Sequence, residues 1–462
     1  MSEATLGGRR SWLERLWAGI ADRGRAYIGS PESGPPAARA RALAEALASS
    51  RGEASGAALA RELMAVVAVL DTTARRDFAL FLATGFAPDE AALSAAARAY
   101  VEAPSAETAM RLFARAEPPR QELLRRMNMA PGGTAALVGL RRAVLADLPA
   151  HPALRPLEAD LRHLFTSWFN RGFLELHRID WAETPAAVLE KLIAYEAVHE
   201  IRGWADLRRR LAPDRRAFAF FHRALPGEPL IFVEVALVHG LAEAIPPLLA
   251  EAPPDDPAAC DTAIFYSISN CQEGLRGISF GNFLIKQVVE ELKAELPGLV
   301  RFATLSPVPG FRRWLRHEAP PDHPAMQALL GENPDRDAGL AAAFPEGWWQ
   351  DTAHAERLRG PLLHLAALYL TRPVREGESI DAVARFHLGN GARLERIDWL
   401  ANPSPRGLAE SFGIMVNYLY DPESIERNHE VFVRSGQVAR SAAVEALLAG
   451  ETGRGWRRAL KI

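Results

Sequence analysis

One stretch, residues 263–315, constrains this chain more than any other. It opens on the apolar, aromatic and β-branched run AIFYSI (263–268) and continues through a polar, glycine-containing loop (269–281). Residues 282–296 then show helical spacing, and a second short apolar run (300–305) ends on Ser306-Pro307. The order is strand, Gly-bearing turn, helix, strand. Such a turn at a helix N-terminus presents unpaired backbone N–H groups and the positive end of the helix dipole, a combination suited to phosphate or pyrophosphate.

The remainder of the chain limits what this unit belongs to. At 462 residues the chain exceeds one small core, and two or three domains are expected. Hydrophobic residues make up 48%, as in a globular protein. A net charge of −3 makes no electrostatic case for a nucleic acid or an anionic membrane as partner. Two cysteines, Cys260 and Cys271, exclude a disulfide framework and a four-cysteine zinc site, and fit a reducing cytosol. The first residues are amphipathic, carry Glu3, Glu14 and Asp22, and lack the apolar centre of a signal peptide. No stretch approaches the ~20 apolar residues of a membrane span. A cytoplasmic location is the expectation.

Residues 36–168 read as helical throughout. Leu59, Leu63, Val66, Val67 and Leu70 recur at helical spacing. Ser105 is an expected N-cap, Pro118-Pro119 starts another helix, and Thr134 is expected to cap the one that follows Gly132-Gly133. No repeat of fixed period is present and no chemical constellation stands out. From about residue 171 strands enter: 217–222 and 230–237 form a hairpin candidate around Pro226-Gly227, after helices over 185–201 and 204–211. Residues 241–251 read as a helix. Beyond Ser306, residues 311–317 suggest a short helix, 317–350 a Pro-rich inserted loop, and 351–370 a helix. Residues 382–388 and 393–399 read as strands joined at Gly389-Asn390-Gly391, a hairpin signal. Residues 412–420 and 425–448 read as helices.

This succession resembles the GNAT acyl-CoA superfamily, whose pyrophosphate loop lies between the fourth strand and the next helix. The matching residues are Arg276, Gly277, Ile278, Ser279, Phe280 and Gly281, bordered by Asn282; Ser279 stands where the family has its middle glycine. A closer resemblance follows from FYSIS (265–269), GLRGISFGNFLIK (274–286), TLSPVPGF (304–311) and FHLGNGA (386–392), extended by YEAVHEI (195–201), PGEPL (226–230) and NYLY (417–420). Together they resemble malonyl-CoA decarboxylases over residues 160–420. The fold so implied is α+β and multidomain: a helical N-terminal domain over residues 1–168, then a GNAT-like mixed β-sheet domain flanked by helices over 169–462.

The resemblance implies conversion of malonyl-CoA to acetyl-CoA and CO₂, with Ser306 and His387 catalytic, the 276–282 loop on the CoA pyrophosphate, and Asn417 and Tyr420 in the substrate pocket. It implies no metal, biotin or redox cofactor, since CoA is part of the substrate, and assembly into dimers or tetramers. Loss of CO₂ leaves a thioester enolate, so the site must fix one conformer, stabilise charge on the thioester oxygen and deliver a proton to carbon. A histidine suits the last task, and His387 is expected to be the proton donor. Ser306 is left with three roles: orienting His387, binding the carboxylate or binding the enolate. An acyl-serine is a further possibility. Read without the resemblance, Ser306 before Pro307 is a helix cap or strand end, and His387 a satisfied sheet histidine. The rival functions are a GNAT acyltransferase and a non-catalytic CoA-binding module. His317, Glu318, Asp322 and His323 look ligand-like but fall in the Pro-rich stretch, where a solvated loop is the expectation. Cys271 receives no role.

Overall fold

In the computed structural model the described residues are 16, 19–23, 34–49, 52–278, 284–333, 335–372 and 381–449. The first half is helical: α1 (Pro36–Ser49), α2 (Glu53–Ala68), α3 (Thr72–Gly85), α4 (Glu90–Glu102), α5 (Ala106–Ala116), α6 (Pro119–Asn128), α7 (Gly133–Asp147) and α8 (Arg155–Trp168). The caps follow from side-chain chemistry. Asp71 and Asp89 accept the Ala74 and Ala92 N–H groups at 2.8 and 2.9 Å, and Ser105 forms a capping box with Thr108. Thr134 departs from expectation. It lies inside α7, and Gly132 takes the N-cap with φ of 75°, while the Thr134 hydroxyl donates to Asn128 instead.

One eight-stranded sheet forms the second half. Its strands are β1 (Leu174–Ile179), β2 (Arg215–His222), β3 (Ile231–Val238), β4 (Thr262–Asn270), β5 (Arg301–Thr304), β6 (Ser306–Pro307), β7 (Arg393–Asp398) and β8 (Met415–Leu419). The order is β1-β2-β3-β4-β5-β8-β6, with β7 on β8. All pairs are antiparallel except β4–β5. β1 is not legible in the sequence, since most of its residues are only partly buried and mix charges with leucines. Its presence makes the strand of the opening stretch the fourth in the chain.

One face of the sheet is covered by α12 (Leu284–Glu295), among others, and its apolar core runs without a break from Leu63, Leu137 and Leu161 through Phe220, Phe265 and Leu292 to Leu394. The opposite face carries two smaller clusters. One joins Phe221 and Phe232 to Leu189 and Leu207, which lie on α9 (Ala186–Tyr195) and α10 (Trp204–Arg210). The other gathers Ile264, Tyr266, Leu305 and Met415 under α11 (Pro246–Leu249). On β3, Glu234 falls between Phe232 of the first cluster and Ala236 of the second, and it is buried against Arg210. The guanidinium donates to Glu234 at 2.9 Å, to Asp206 at 3.0 Å and to the Glu200 carbonyl at 2.8 Å. Burial holds the Glu234 carboxyl above the ordinary carboxylate range despite the cation beside it.

Several expectations are corrected downstream. The Pro-rich stretch after α13 (Phe311–His317) contains α14 (Pro324–Leu330), with Pro324 in its first turn and His323 as N-cap, and α15 (Arg336–Ala343), capped by Asp335. The expected helix over 351–370 is present as α16 (Thr352–Thr371). Residues 382–388 are helical, not a strand: α17 (Ala382–Gly389) buries Ala384, His387 and Leu388, an i, i+3, i+4 set. Gly389-Asn390-Gly391 stops that helix. Ala392 N–H donates to the His387 carbonyl and Gly391 N–H to that of Leu388, with Gly391 at φ of 83°. This is a Schellman motif, which draws on the same residues as a hairpin turn. After α18 (Pro405–Ser411), residues 412–420 contain β8 rather than a helix, because a short, largely apolar run fits either element by periodicity. Residues 425–448 divide into α19 (Ile425–Ser435) and α20 (Ala442–Ala449), and the expected helix over 241–251 shrinks to α11.

Removing Arg210 would strand Glu234 and Asp206 without their cation. Arg210→Ala is expected to lower unfolding free energy by roughly 3–5 kcal/mol in denaturant titration.

Candidate active site

β4 and β5 pair in parallel from Thr262↔Arg301 to Phe265↔Thr304. Leu305 N–H still reaches the Phe265 carbonyl at 3.0 Å, and then the strands part. Ser306 turns to the other neighbour and pairs with Val416 of β8. Alternation along this run puts Thr304 and Ser306 on one face and Leu305 on the other. That pattern is available in the sequence, although nothing there marks Thr304 as a partner of Ser306.

Thr304 is fully buried, and its hydroxyl oxygen accepts from Tyr418 N–H at 3.1 Å and from Ser306 Oγ at 2.9 Å. Ser306 Oγ lies 3.1 Å from His387 Nε2, and His387 Nδ1 lies 2.7 Å from the Tyr420 hydroxyl. The imidazole stacks on Tyr418 with centroids 4.7 Å apart. Ser306 Oγ–H has two acceptors in reach: with Nε2 protonated it turns to Thr304 and Tyr420 donates to Nδ1, and with Nδ1 protonated toward Tyr420 it turns to Nε2. A nucleophilic serine needs the second arrangement, with its own proton on the imidazole side. Burial alone drives the His387 pKa down to about 3, with no charge nearby to oppose it, so the ring is neutral at physiological pH.

The structure thus brings together Ser306, His387 and Tyr420 from three separate segments. Asn417 lies apart from them. It precedes Tyr418 on β8, so its side chain takes the opposite face, where Nδ2 donates to the Thr304 and Ala242 carbonyls at 2.8 and 3.1 Å. Of the glycine loop, Arg276, Gly277 and Ile278 are described, while Ser279, Phe280, Gly281 and Asn282 lie outside the described residues. Gly277 has φ of 78°, which only glycine adopts without strain, and Ile278 is buried beneath the exposed Arg276. The helical half braces this loop. Arg141 of α7, itself buried and paired with Glu158 at 2.8 Å, donates to the Gly274 and Arg276 carbonyls at 2.7 and 3.0 Å. At Gly274 an added Cβ would meet the Val138 carbonyl oxygen at 2.0 Å. No local signal in the sequence marks Arg141, because its partners are backbone atoms 133 and 135 residues away.

Cys271 is a buried free thiol among apolar neighbours, and burial raises its pKa, which leaves it unreactive. Among the described residues no group of three or more His, Cys, Asp or Glu is placed to hold a metal.

The Ser306-bearing and His387-bearing motifs lie within a region, residues 172–457, that matches the family model of the malonyl-CoA decarboxylase C-terminal domain. Residues 86–169 match the model of the N-terminal domain of the same family. The chain belongs to the malonyl-CoA decarboxylase family. Within the family, mitochondrial malonyl-CoA decarboxylase from Mus musculus is 36% identical over 348 residues, 71% of this chain and 70% of the relative. The goose protein (Anser anser anser) is 35% identical over 347 residues, 71% of this chain and 69% of the relative. The crystal structure of malonyl-CoA decarboxylase from Rhodopseudomonas palustris is similar at 52% identity and a TM-score of 0.82, covering 89% of this chain and 99% of that one. That from Agrobacterium vitis gives 47% and 0.79, over 88% and 99%.

The buried imidazole has a consequence for stability. Between pH 6.5 and about 3 the unfolded chain binds a proton that native His387 refuses. Stability from this group is complete above pH 6.5 and is lost as pH falls through that window. In chemical denaturation at pH 7 and pH 5, His387→Asn is expected to lose ~2 kcal/mol less than wild type over the interval.

Proposed function

We propose that the chain decarboxylates malonyl-CoA to acetyl-CoA and CO₂, using Ser306 and His387 on the acyl group and the loop around Gly277 on the CoA pyrophosphate. The observation that carries this reading is the 3.1 Å contact between Ser306 and His387, residues 81 apart in a chain of this family, at the point where β4 and β5 separate. The bond between the carboxylate carbon and C2 breaks, its electron pair enters the thioester as an enolate, and CO₂ leaves. One proton must then reach C2. The resting imidazole is neutral, but the malonyl carboxylate is an anion, and seating it beside His387 raises the ring's pKa. The ring then takes up one proton from solvent, and the imidazolium so formed gives that proton to C2 and returns to the neutral state, so one solvent proton is consumed for each CO₂ released. Ser306 holds Nε2 in register, and Tyr420 holds Nδ1. Decarboxylation needs no acyl transfer, so the scheme has no acyl-serine. No cofactor enters this scheme.

Assembly into dimers or tetramers and a cytosolic location complete the proposal. For assembly the support is the α4–α5 hairpin, which exposes Val101, Met110 and Phe113, each more than 70% accessible. Met110 and Phe113, three residues apart on one helix, share a face, and exposed apolar side chains of this kind suit an interface. Two buried free thiols are compatible with a reducing compartment, although the vertebrate relatives are named as mitochondrial. No described helix is long and apolar enough to cross a membrane.

Purified protein given malonyl-CoA without any amine is expected to release CO₂ and acetyl-CoA in equal amounts. A requirement for an amine acceptor would transfer the assignment to an acyltransferase. Ser306→Ala and His387→Asn are each expected to lower kcat at least ~10-fold with an unchanged circular dichroism spectrum. Binding of CoA thioesters without turnover in the wild type would instead support a non-catalytic module. For assembly, the double variant Met110→Asp/Phe113→Asp is expected to shift the light-scattering mass of the wild-type oligomer toward the monomer.

A further inference from the structure

Ser306 and His387 reach each other from β6 and α17, two elements with no strand pairing in common. Something has to hold α17 at the right depth against the Ser306 segment. Asp381 occupies the junction. It is the N-cap of α17, buried to 4% accessibility, and its two carboxylate oxygens divide their work. Oδ1 accepts Val383 N–H at 2.9 Å and Ala384 N–H at 3.2 Å, which is ordinary capping. Oδ2 accepts Gly310 N–H at 2.9 Å, and Gly310 closes the Ser-Pro-Val-Pro-Gly run that starts at Ser306.

A third segment joins this junction. Tyr369 of α16 brings its hydroxyl over Gly310 next to the same carboxylate, and its ring packs against Phe311 and Trp314 of α13. The fit at Gly310 is tight: an added Cβ would meet the Tyr369 hydroxyl at 2.2 Å. The carboxylate therefore fastens the start of the helix that carries His387 to the segment that carries Ser306. From Asp381 to His387 the path is a stiff helix, with a rise of about 9 Å over six residues.

We propose that Asp381 is a positioning residue that sets the Ser306–His387 contact, through one oxygen on the α17 N-terminus and the other on Gly310. Its kinetic readout rests on the decarboxylase reading above. Two substitutions separate this role from simple capping. Asn keeps an oxygen for the cap but turns an NH₂ toward the Gly310 N–H, donor against donor. Ser caps as well as Asp does and leaves Gly310 without a partner.

The test measures kcat and KM of Asp381→Asn and Asp381→Ser with malonyl-CoA, alone and in a Ser306→Ala background, with folding checked by circular dichroism. Displacing reacting groups by about 1 Å costs up to ~100-fold, so kcat is expected to fall by roughly 30- to 100-fold. KM is expected to stay within about threefold, because the loop around Gly277 keeps its own supports. In the Ser306→Ala background the further loss is expected to be under about threefold, since coupled residues are not additive. A kcat within threefold of wild type in either folded variant would overturn the proposal. So would an undiminished penalty in the Ser306→Ala background.

An activity-independent arm follows the His387 imidazole by ¹⁵N NMR, its signal assigned by loss in His387→Asn. The groups facing the ring are Ser306, Phe386, Tyr418 and Tyr420, all uncharged. Loosening α17 in Asp381→Asn is expected to admit water and bring a titration into the range pH 5–7. Unchanged shifts over that range would overturn the positioning role. The NMR titration separates the two outcomes even if the wild type fails to decarboxylate malonyl-CoA, a failure that would reject the proposed function separately.

Discussion

The parting of β4 from β5 is the constraint on which the site depends. The two strands share four residue pairs, and the next carbonyl–amide bond, Leu305 to Phe265, is the last. A strand that leaves its neighbour must find other partners for its backbone groups, because unpaired buried N–H and C=O groups are costly. β8 supplies them. It pairs with β5 at Leu419 and with β6 at Ser306 and Pro307, and Asn417 covers the Thr304 carbonyl. The opening is therefore bounded by satisfied backbone on the β8 side, and Ser306 is presented at its edge.

Polarity at this edge is organised without charge. Thr304, Ser306, His387 and Tyr420 form a chain of hydrogen bonds, and Tyr418 closes one side by stacking. Burial keeps the imidazole neutral. A neutral, dry and ordered site suits a reaction that creates and then discharges a buried enolate, since the dipoles need not reorganise during the step.

The helical half has a direct part in this. Arg141 fixes two carbonyls of the turn that leads into Gly277, and the core runs unbroken from α2, α7 and α8 to β4 and α12. The loop's shape is consequently set from outside its own segment.

The sequence by itself determined the strand–Gly turn–helix–strand unit, most of the helices in the first half, and the motif residues Ser306, His387 and Tyr420. It could do so because helical periodicity, caps and glycine requirements are local, and because the motif residues sit in short runs specific to one family. It could not assign residues 382–388 or 412–420. Gly389-Asn390-Gly391 serves a helix stop as readily as a hairpin, and a short buried apolar run carries no period that separates helix from strand. β1 stayed hidden because a half-exposed edge strand with mixed polarity lacks a strong alternation. The tertiary structure alone decided that His387 comes to Ser306 from a helix rather than a hairpin, that Asn417 takes the other face from Tyr420, and that Arg141 and Asp381 hold the segments in place. Each of these is a contact between residues distant in the chain, and its energy comes from burying groups together in a way that no local pattern encodes.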